Sequence, residues 1–298
     1  MITIFTPTFN RADKVHRVWD SIQSQTYRNF EWVVIDDGSK DNIRSKIESY
    51  RKEADFPIQF HQFKENKGKH NATNKALEMA KGEFFMVADS DDAFTPDAIE
   101  FFMDGWNAIP LDQRDDFCGI RACCVDQFGN RVSDTLTNVP LAASMAEVYY
   151  KHGFRRESWC MVRTDWHRKF LFDSTHKGYY PEGIIWKAMS REKKLMFYNK
   201  PTRIYYVAED PNSIMNIAKP PKEKASRNLI QTLDTLNHDM SYFWDYPKWF
   251  FQMAVLQGYY SLVTHTFWEN FRKISTLSGK LLILAFFPIS LMYSIIKR

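Results

Sequence analysis

Cysteine is scarce and unpatterned in this 298-residue chain. There are four, Cys118, Cys123, Cys124 and Cys160, and no C-x-x-C pair among them. That excludes a zinc knuckle or a disulfide framework as the organising device, and the thiols read as buried and free in a reducing compartment. With 11 Gly and 12 Pro, the chain is neither collagen-like nor linker-dominated. Long hydrophobic runs are lacking outside the C-terminal tail, which excludes a multi-span membrane protein. Met1 leads straight into Ile2-Thr3-Ile4-Phe5, without the cationic and apolar regions of a secretory signal, so the cytoplasm is the expected compartment. No Walker A pattern and no nucleophile elbow occurs. His70, His152, His167 and His176 form no ligand-spaced cluster. Charge of one sign is missing from the body: residues 1–240 hold 34 basic and 34 acidic residues, whereas 241–298 hold six and two. A nucleic-acid binder would carry its Lys/Arg stripe across the folded domain, so no nucleic-acid partner is expected. A basic tail fits attraction to an anionic surface.

What is present alternates in character. Short apolar or β-branched runs (Ile2–Thr6, Glu31–Ile35, Ile58–Phe63, Phe84–Ala88) are separated by helical stripes at Val15/Val18/Ile22, Ile43/Ile47/Tyr50 and Ala72/Ala76/Met79. Thr95-Pro96 reads as an N-cap followed by a proline opening a fourth helix. This rhythm predicts βαβ units and an α/β fold with a mainly parallel sheet and helices on both faces. Residues 117–125, 157–163 and 201–207 read as further strands, 126–130 as a turn and 183–191 as a helix. Residues 208–227, polar and with Pro211, Pro220 and Pro221, read as a boundary before an aromatic helical tail.

In such sheets ligands bind at the carboxyl ends of the strands. Three polar clusters fall there: Pro7-Thr8, Asp36-Asp37-Gly38-Ser39 and Asp89-Ser90-Asp91-Asp92. Three carboxylates in four residues repel one another unless something positive sits among them. Strand alternation would turn Asp89 and Asp91 toward one rim, as a hard divalent cation shared with substrate phosphates requires. A solvated acidic turn capping the next helix is the other reading of that tetrapeptide. Asp36–Ser39, taken alone, reads first as a capped Asp-Gly turn and only second as an acid accepting hydrogen bonds from a base or ribose.

The stretches Thr6–Arg11, Ser24–Glu31, Val34–Ser39, Asn66–Asn74 and Lys81–Phe84 followed by Asp89–Asp92, in that order, resemble the opening of family 2 glycosyltransferases of GT-A fold. The resemblance is dense over 1–110 and sparse over 117–215. It implies a GT-A catalytic domain over 1–215, with a nucleotide-binding half (1–110) and an acceptor half (111–215). It further implies a nucleoside-diphosphate-sugar donor, Mg²⁺ or Mn²⁺, and inversion at the anomeric carbon; the membrane-leaning tail suggests a glycan or lipid-linked acceptor. Carried over residue by residue, Pro7 and Thr8 line the nucleoside pocket and Asp37 contacts the base. Asp89 serves the ribose or diphosphate side, and Asp91 binds the metal. Many relatives open a helix in the second half with Glu-Asp, the Asp being the base. Here Pro181-Glu182-Gly183 stands there, with Asp210–Ile214 beyond it, so Glu182 is the candidate base and Asp173 and Glu157 are the alternatives.

Two rival classes remain beside this one. A nucleotidyltransferase should carry a Gly-rich loop after its first strand, and Thr6–Lys14 contains no glycine. A non-catalytic nucleotide-sugar binder would accommodate Gly183. The tail, 216–298, holds twelve aromatics between Tyr242 and Phe271. Its sixteen uncharged residues Leu281–Ile296, interrupted by Pro288, fall short of a span and read as a segment lying in the interface at the cytoplasmic face of a membrane.

Overall fold

The computed structural model describes residues 1–207 and 221–296. The first part of the boundary stretch, the Asp210–Ile214 motif and Lys297-Arg298 lie outside them. The chain divides into two compact units: Met1–Val148 with His152–Glu209, and Tyr149–Lys151 with Asp210–Arg298.

The first unit is built as its hydrophobic rhythm dictates. Strands β1 (Ile2–Thr8), β2 (Phe30–Asp36), β3 (Ile58–Gln62) and β4 (Phe84–Val87) alternate with helices α1 (His16–Gln23), α2 (Ile43–Glu53) and α3 (Lys69–Met79). These four strands run parallel in the order β3-β2-β1-β4. Both faces of the sheet are covered, so β1 and β2 are buried along their whole length. Alternate residues serve opposite faces. Ile2, Ile4, Trp32 and Val34 join Val18, Ile22, Ile47 and Phe102 on one side. Phe5, Val33 and Ile35 join Ala72, Ala76 and Leu77 on the other.

The sheet then continues with mixed pairing. After β5 (Ala93–Phe94) and α4 (Ala98–Asn107) come β6 (Phe117–Asp126), β7 (Leu141–Ala143), α5 (Met145–Tyr150), β8 (Ser158–Arg163), α6 (Thr164–His167), α7 (Gly183–Glu192) and β9 (Lys194–Tyr205). The path is β4-β8-β6-β9-β5, with β7 also on β9. Only β6 and β9 pair in parallel there, so the parallel half is extended by a mixed half. The expected cap of α4 is displaced. Thr95 donates its N–H to Thr202 O (2.9 Å) and its hydroxyl to Asp97, and Asp97 is the N-cap. Pairing with β9 keeps Thr95 and Pro96 out of the helix.

The second unit holds α8 (Pro221–His238), α9 (Pro247–Val263), α10 (Phe267–Lys273) and α11 (Leu277–Ile296). Its core joins Leu236, Met253, Ala254, Ile274 and Ile283. The apolar tail differs from its sequence reading. It is a 20-residue helix through Pro288, long and apolar enough to cross a membrane by length and composition. The uncharged run starts after Lys280, but the helix starts a turn earlier. There the Thr276 hydroxyl takes the Gly279 N–H (3.1 Å) and donates to Leu236 O (2.7 Å). Pro288 removes one donor without ending the helix.

Candidate active site

The site begins where the parallel strands stop. Pro7, which cannot donate a hydrogen bond, lies past the last β1–β4 pair, Phe5 with Val87. Thr8 follows it, buried, with a hydroxyl that has no hydrogen-bond partner among the described residues. An orphaned buried hydroxyl at a strand end is a place where a ligand or water atom would be satisfied. The loops after β1 and β2 are stitched together there. Asp37 N–H donates to Thr8 O (2.8 Å), Asn10 N–H to Ser39 Oγ (2.8 Å) and Lys40 N–H to Asn10 Oδ1 (2.9 Å).

The two acids of the Asp-Asp-Gly-Ser turn have separate tasks. Asp36 accepts from Ser39 N–H (3.0 Å) and Gln62 Nε2 (2.6 Å), which fixes the turn and the edge of β3. Asp37 accepts the N–H groups of Lys67 (2.7 Å) and Gly68 (2.8 Å), one on each carboxylate oxygen. Burial raises its pKa, and those two donors work against the rise. Asp37 therefore joins the end of β2 to the start of α3.

In Asp89–Asp92 the structure replaces the expected strand alternation with a turn. β4 ends at Val87, and Asp92 N–H closes a turn on Asp89 O (3.1 Å), so strand alternation no longer applies. Asp89 and Asp92, not Asp89 and Asp91, share a partner: Arg203 of β9 pairs with both, at 2.8 Å from Asp89 Oδ2. Asp89 Oδ1 takes Lys69 Nζ at 2.6 Å. Asp91 has a different partner, the Arg11 guanidinium, while its carbonyl accepts from Arg17 (2.8 Å). Arg17 also lies over the Tyr206 ring at 3.8 Å. Burial would raise the Asp89 pKa, but Lys69 and Arg203 outweigh it and hold the carboxyl well below the usual carboxylate range. Burial likewise works against the Lys69 ammonium, and Asp89 and Glu182 together push its pKa above the ordinary lysine value.

Glu182 stands at the N-cap of α7, and its Oε1 lies 2.9 Å from the same Lys69 Nζ. The structure thus brings Glu182 to the rim beside Asp89. Gly183 begins the helix, and a Cβ built there meets nothing within 4 Å, so an aspartate would have fitted. Asp173 spends its Oδ1 on the Thr175 N–H (2.8 Å) and hydroxyl (2.6 Å). Glu157 is exposed immediately before β8.

A divalent cation fits this donor set in one mode. No group of three or more His, Cys, Asp or Glu that could hold a metal occurs among the described residues, so no preformed cage exists there. The Asp91 side chain keeps 35% of its surface exposed on the rim. A hard cation held by one or two carboxylates and completed by substrate phosphates and water suits it.

Sequence reasoning found the acids and missed the cations Lys69, Arg203, Arg11 and Arg17. Two signals were available. Acids this close require positive partners. An arginine inside an apolar strand run such as Arg203 is costly to bury unless it is paired.

The model of glycosyl transferase family 2 matches residues 3–171 of the chain. The putative teichuronic acid biosynthesis glycosyltransferase TuaG of Bacillus subtilis is 33% identical over 34% of this chain and 39% of its own length. The GalNAc(5)-diNAcBac-PP-undecaprenol beta-1,3-glucosyltransferase of Campylobacter jejuni is 30% identical over 34% of this chain and 33% of its own. The chain thus spans about a third to two fifths of these curated relatives. Among solved structures, residues 1–349 of TarS from S. aureus superpose with TM-score 0.65 at 15% identity, covering 99% of this chain and 87% of that one. The same protein has been solved with UDP-GlcNAc. The mannosyltransferase PcManGT of Pyrobaculum calidifontis, solved with GDP-Man and Mn²⁺, matches with TM-score 0.54 at 15% identity, covering 99% and 83%. These likenesses identify the fold as GT-A.

Proposed function

The chain belongs to glycosyl transferase family 2, and from that premise we propose that it moves a sugar from a nucleoside diphosphate to a glycan or lipid-linked acceptor at the cytoplasmic face of a membrane. The observation that carries the proposal is the rim itself: Thr8, Asp37, Asp89, Asp91 and Glu182 lie at the carboxyl ends of three parallel strands and the start of α7. Thr8 and Pro7 line the nucleoside side, where the unpartnered Thr8 hydroxyl awaits a polar atom. Asp37 contacts the base, and Asp89 faces the ribose and diphosphate. Asp91 is the residue that would hold Mg²⁺ or Mn²⁺, which supplies charge neutralisation for the departing diphosphate when bound. Glu182 accepts the proton of the acceptor hydroxyl as it attacks the anomeric carbon, and a single displacement inverts that centre. The domain reading goes with this: a catalytic domain over 1–215 and a helical region over 216–298 that meets the membrane surface.

Screening UDP-, GDP- and dTDP-sugars for turnover, with Mg²⁺, with Mn²⁺ and after chelation, tests the reading. Turnover of at least one donor, lost on chelation, is expected. Donor binding without turnover under any metal would favour the binder reading that Gly183 keeps in play.

A further inference from the structure

A single ammonium links the two halves of the site. Lys69 Nζ lies 2.6 Å from Asp89 and 2.9 Å from Glu182, and Arg203 occupies the other Asp89 oxygen at 2.8 Å. The chain Arg203–Asp89–Lys69–Glu182 therefore runs from β9 through the turn after β4 and the first residue of α3 to the start of α7. Each internal member is held from two sides. Asp89 is clamped by two cations, and Lys69 by two carboxylates. Glu182 is the terminal member. Its long side chain leaves the backbone at a helix start and has no other ion-pair partner among the described residues.

We propose that Lys69 is the positioning residue of this enzyme: it fixes the Glu182 carboxylate relative to the donor-side acid Asp89. The inference rests on the reading of Glu182 as the base. A tether that selects one rotamer supplies the orientation on which proton transfer in the transition state depends. An ångström of misplacement costs on the order of a hundredfold in rate, so removing Lys69 should slow the reaction. The spacing favours the tether too. Lys69 joins two carboxylates that belong to different elements and are 93 residues apart in sequence.

A double-mutant cycle tests this on the full-length protein, with turnover of the UDP-, GDP- or dTDP-sugar that the donor screen identifies. Glu182→Gln alone should lower turnover about 10²–10⁴-fold. Lys69→Met should lower kcat on the order of tenfold to a hundredfold in the parent protein. Added to Glu182→Gln it should lower kcat less than about threefold further, because a residue acting through another is non-additive with it. Lys69→Arg should recover most of the loss, since a guanidinium fork can bridge two carboxylates. Melting temperatures accompany each variant. If Lys69→Met fails to fold, Lys69→Gln replaces it in both backgrounds. Equal losses in both backgrounds would place Lys69 on the donor independently of Glu182 and overturn the proposal. A rise in kcat would show a brake rather than a tether and also overturn it. Near-normal turnover of Glu182→Gln would instead remove the base itself. The base reading and the tether therefore fail on different measurements.

Discussion

Asp89 and Asp91 stand two residues apart, and the fold uses them differently. Asp89 is clamped between Lys69 and Arg203, so its loss would leave Lys69 with Glu182 alone and Arg203 with Asp92 alone. Asp91 is paired with Arg11 at a partly exposed position, and such pairs contribute about 0–1 kcal/mol. Asp91→Asn should therefore change the melting temperature little. Metal-dependent donor binding should fall about tenfold or more, since a charged contact is worth roughly 1.5–3 kcal/mol. Calorimetric titration of donor with and without Mn²⁺ checks this, and an unchanged titration would remove Asp91 from the metal site. His167 offers a second test, away from the rim. It is fully buried beside Phe85 and Trp186, neither ring nitrogen has a hydrogen-bond partner among the described residues, and burial lowers its pKa from 6.5 to about 4. The unfolded chain binds more protons between those two values, so stability is full above about pH 6.5 and falls as pH drops toward 4. Between pH 7 and 4.5 this group should cost about 2–3 kcal/mol. His167→Phe should lose less stability over that interval in urea titrations than the parent; parallel losses would contradict the assignment. At this scale the acids were legible because they cluster in sequence. Their cations were not, because Lys69, Arg203 and Arg11 arrive from 20, 114 and 80 residues away.

Elements were legible wherever hydrophobic period decided them. β1 to β4 and α1 to α3 follow their stripes, with ends shifted by a few residues. The readings that failed did so at element ends, where a partner distant in sequence takes over. Pairing with Thr202 holds Thr95 out of α4, and the end of β4 at Val87 cancels the alternation expected of Asp89 and Asp91. The turn after β2 shows how local chemistry and site geometry meet. Gly38 has φ +82°, and a Cβ there would lie 2.8 Å from the Glu65 carbonyl carbon, in the segment that leads to the Lys67 and Gly68 donors of Asp37. Gly129, in the turn after β6, has φ +83° and nothing within 4 Å of an added Cβ. Gly38→Ala should cost roughly 1–3 kcal/mol from strain and crowding together, and Gly129→Ala only the conformational part, about 1 kcal/mol. Gly38→Ala should also weaken donor binding by displacing the Asp37 donors, whereas Gly129→Ala should not. Urea midpoints and donor titrations of the pair decide it, and equal effects at both positions would mean that the Glu65 segment yields without disturbing Asp37.

At the scale of the whole molecule the chemistry divides as the charge does. The neutral body supplies the rim, and the basic tail supplies a surface of another kind. In α11 the buried positions Gly279, Ile283, Ser290 and Ser294 face the unit's interior, where the Ser290 hydroxyl bonds Val255 O (3.0 Å) and Gly258 leaves room for it. Leu281, Leu284 and Ile295 lie on the other side and are 58%, 49% and 66% exposed. From Asn270 onward the sequence has five basic residues and no acid. An exposed apolar stripe with cations and no anions suits an anionic lipid surface better than water. Deleting the tail would test this poorly, because Ile283 belongs to the core of its unit. Changing Leu281, Leu284 and Ile295 together to Asn leaves the inner face intact. Three half-exposed side chains contribute about 3 kcal/mol of insertion, roughly a hundredfold in partition. The parent should float with vesicles containing phosphatidylserine, and the triple variant should remain in the soluble fraction with unchanged turnover of soluble donor. If the parent does not float but sediments as a dimer that the variant cannot form, the stripe is a surface between copies of the chain, and the lipid-linked acceptor loses its structural support.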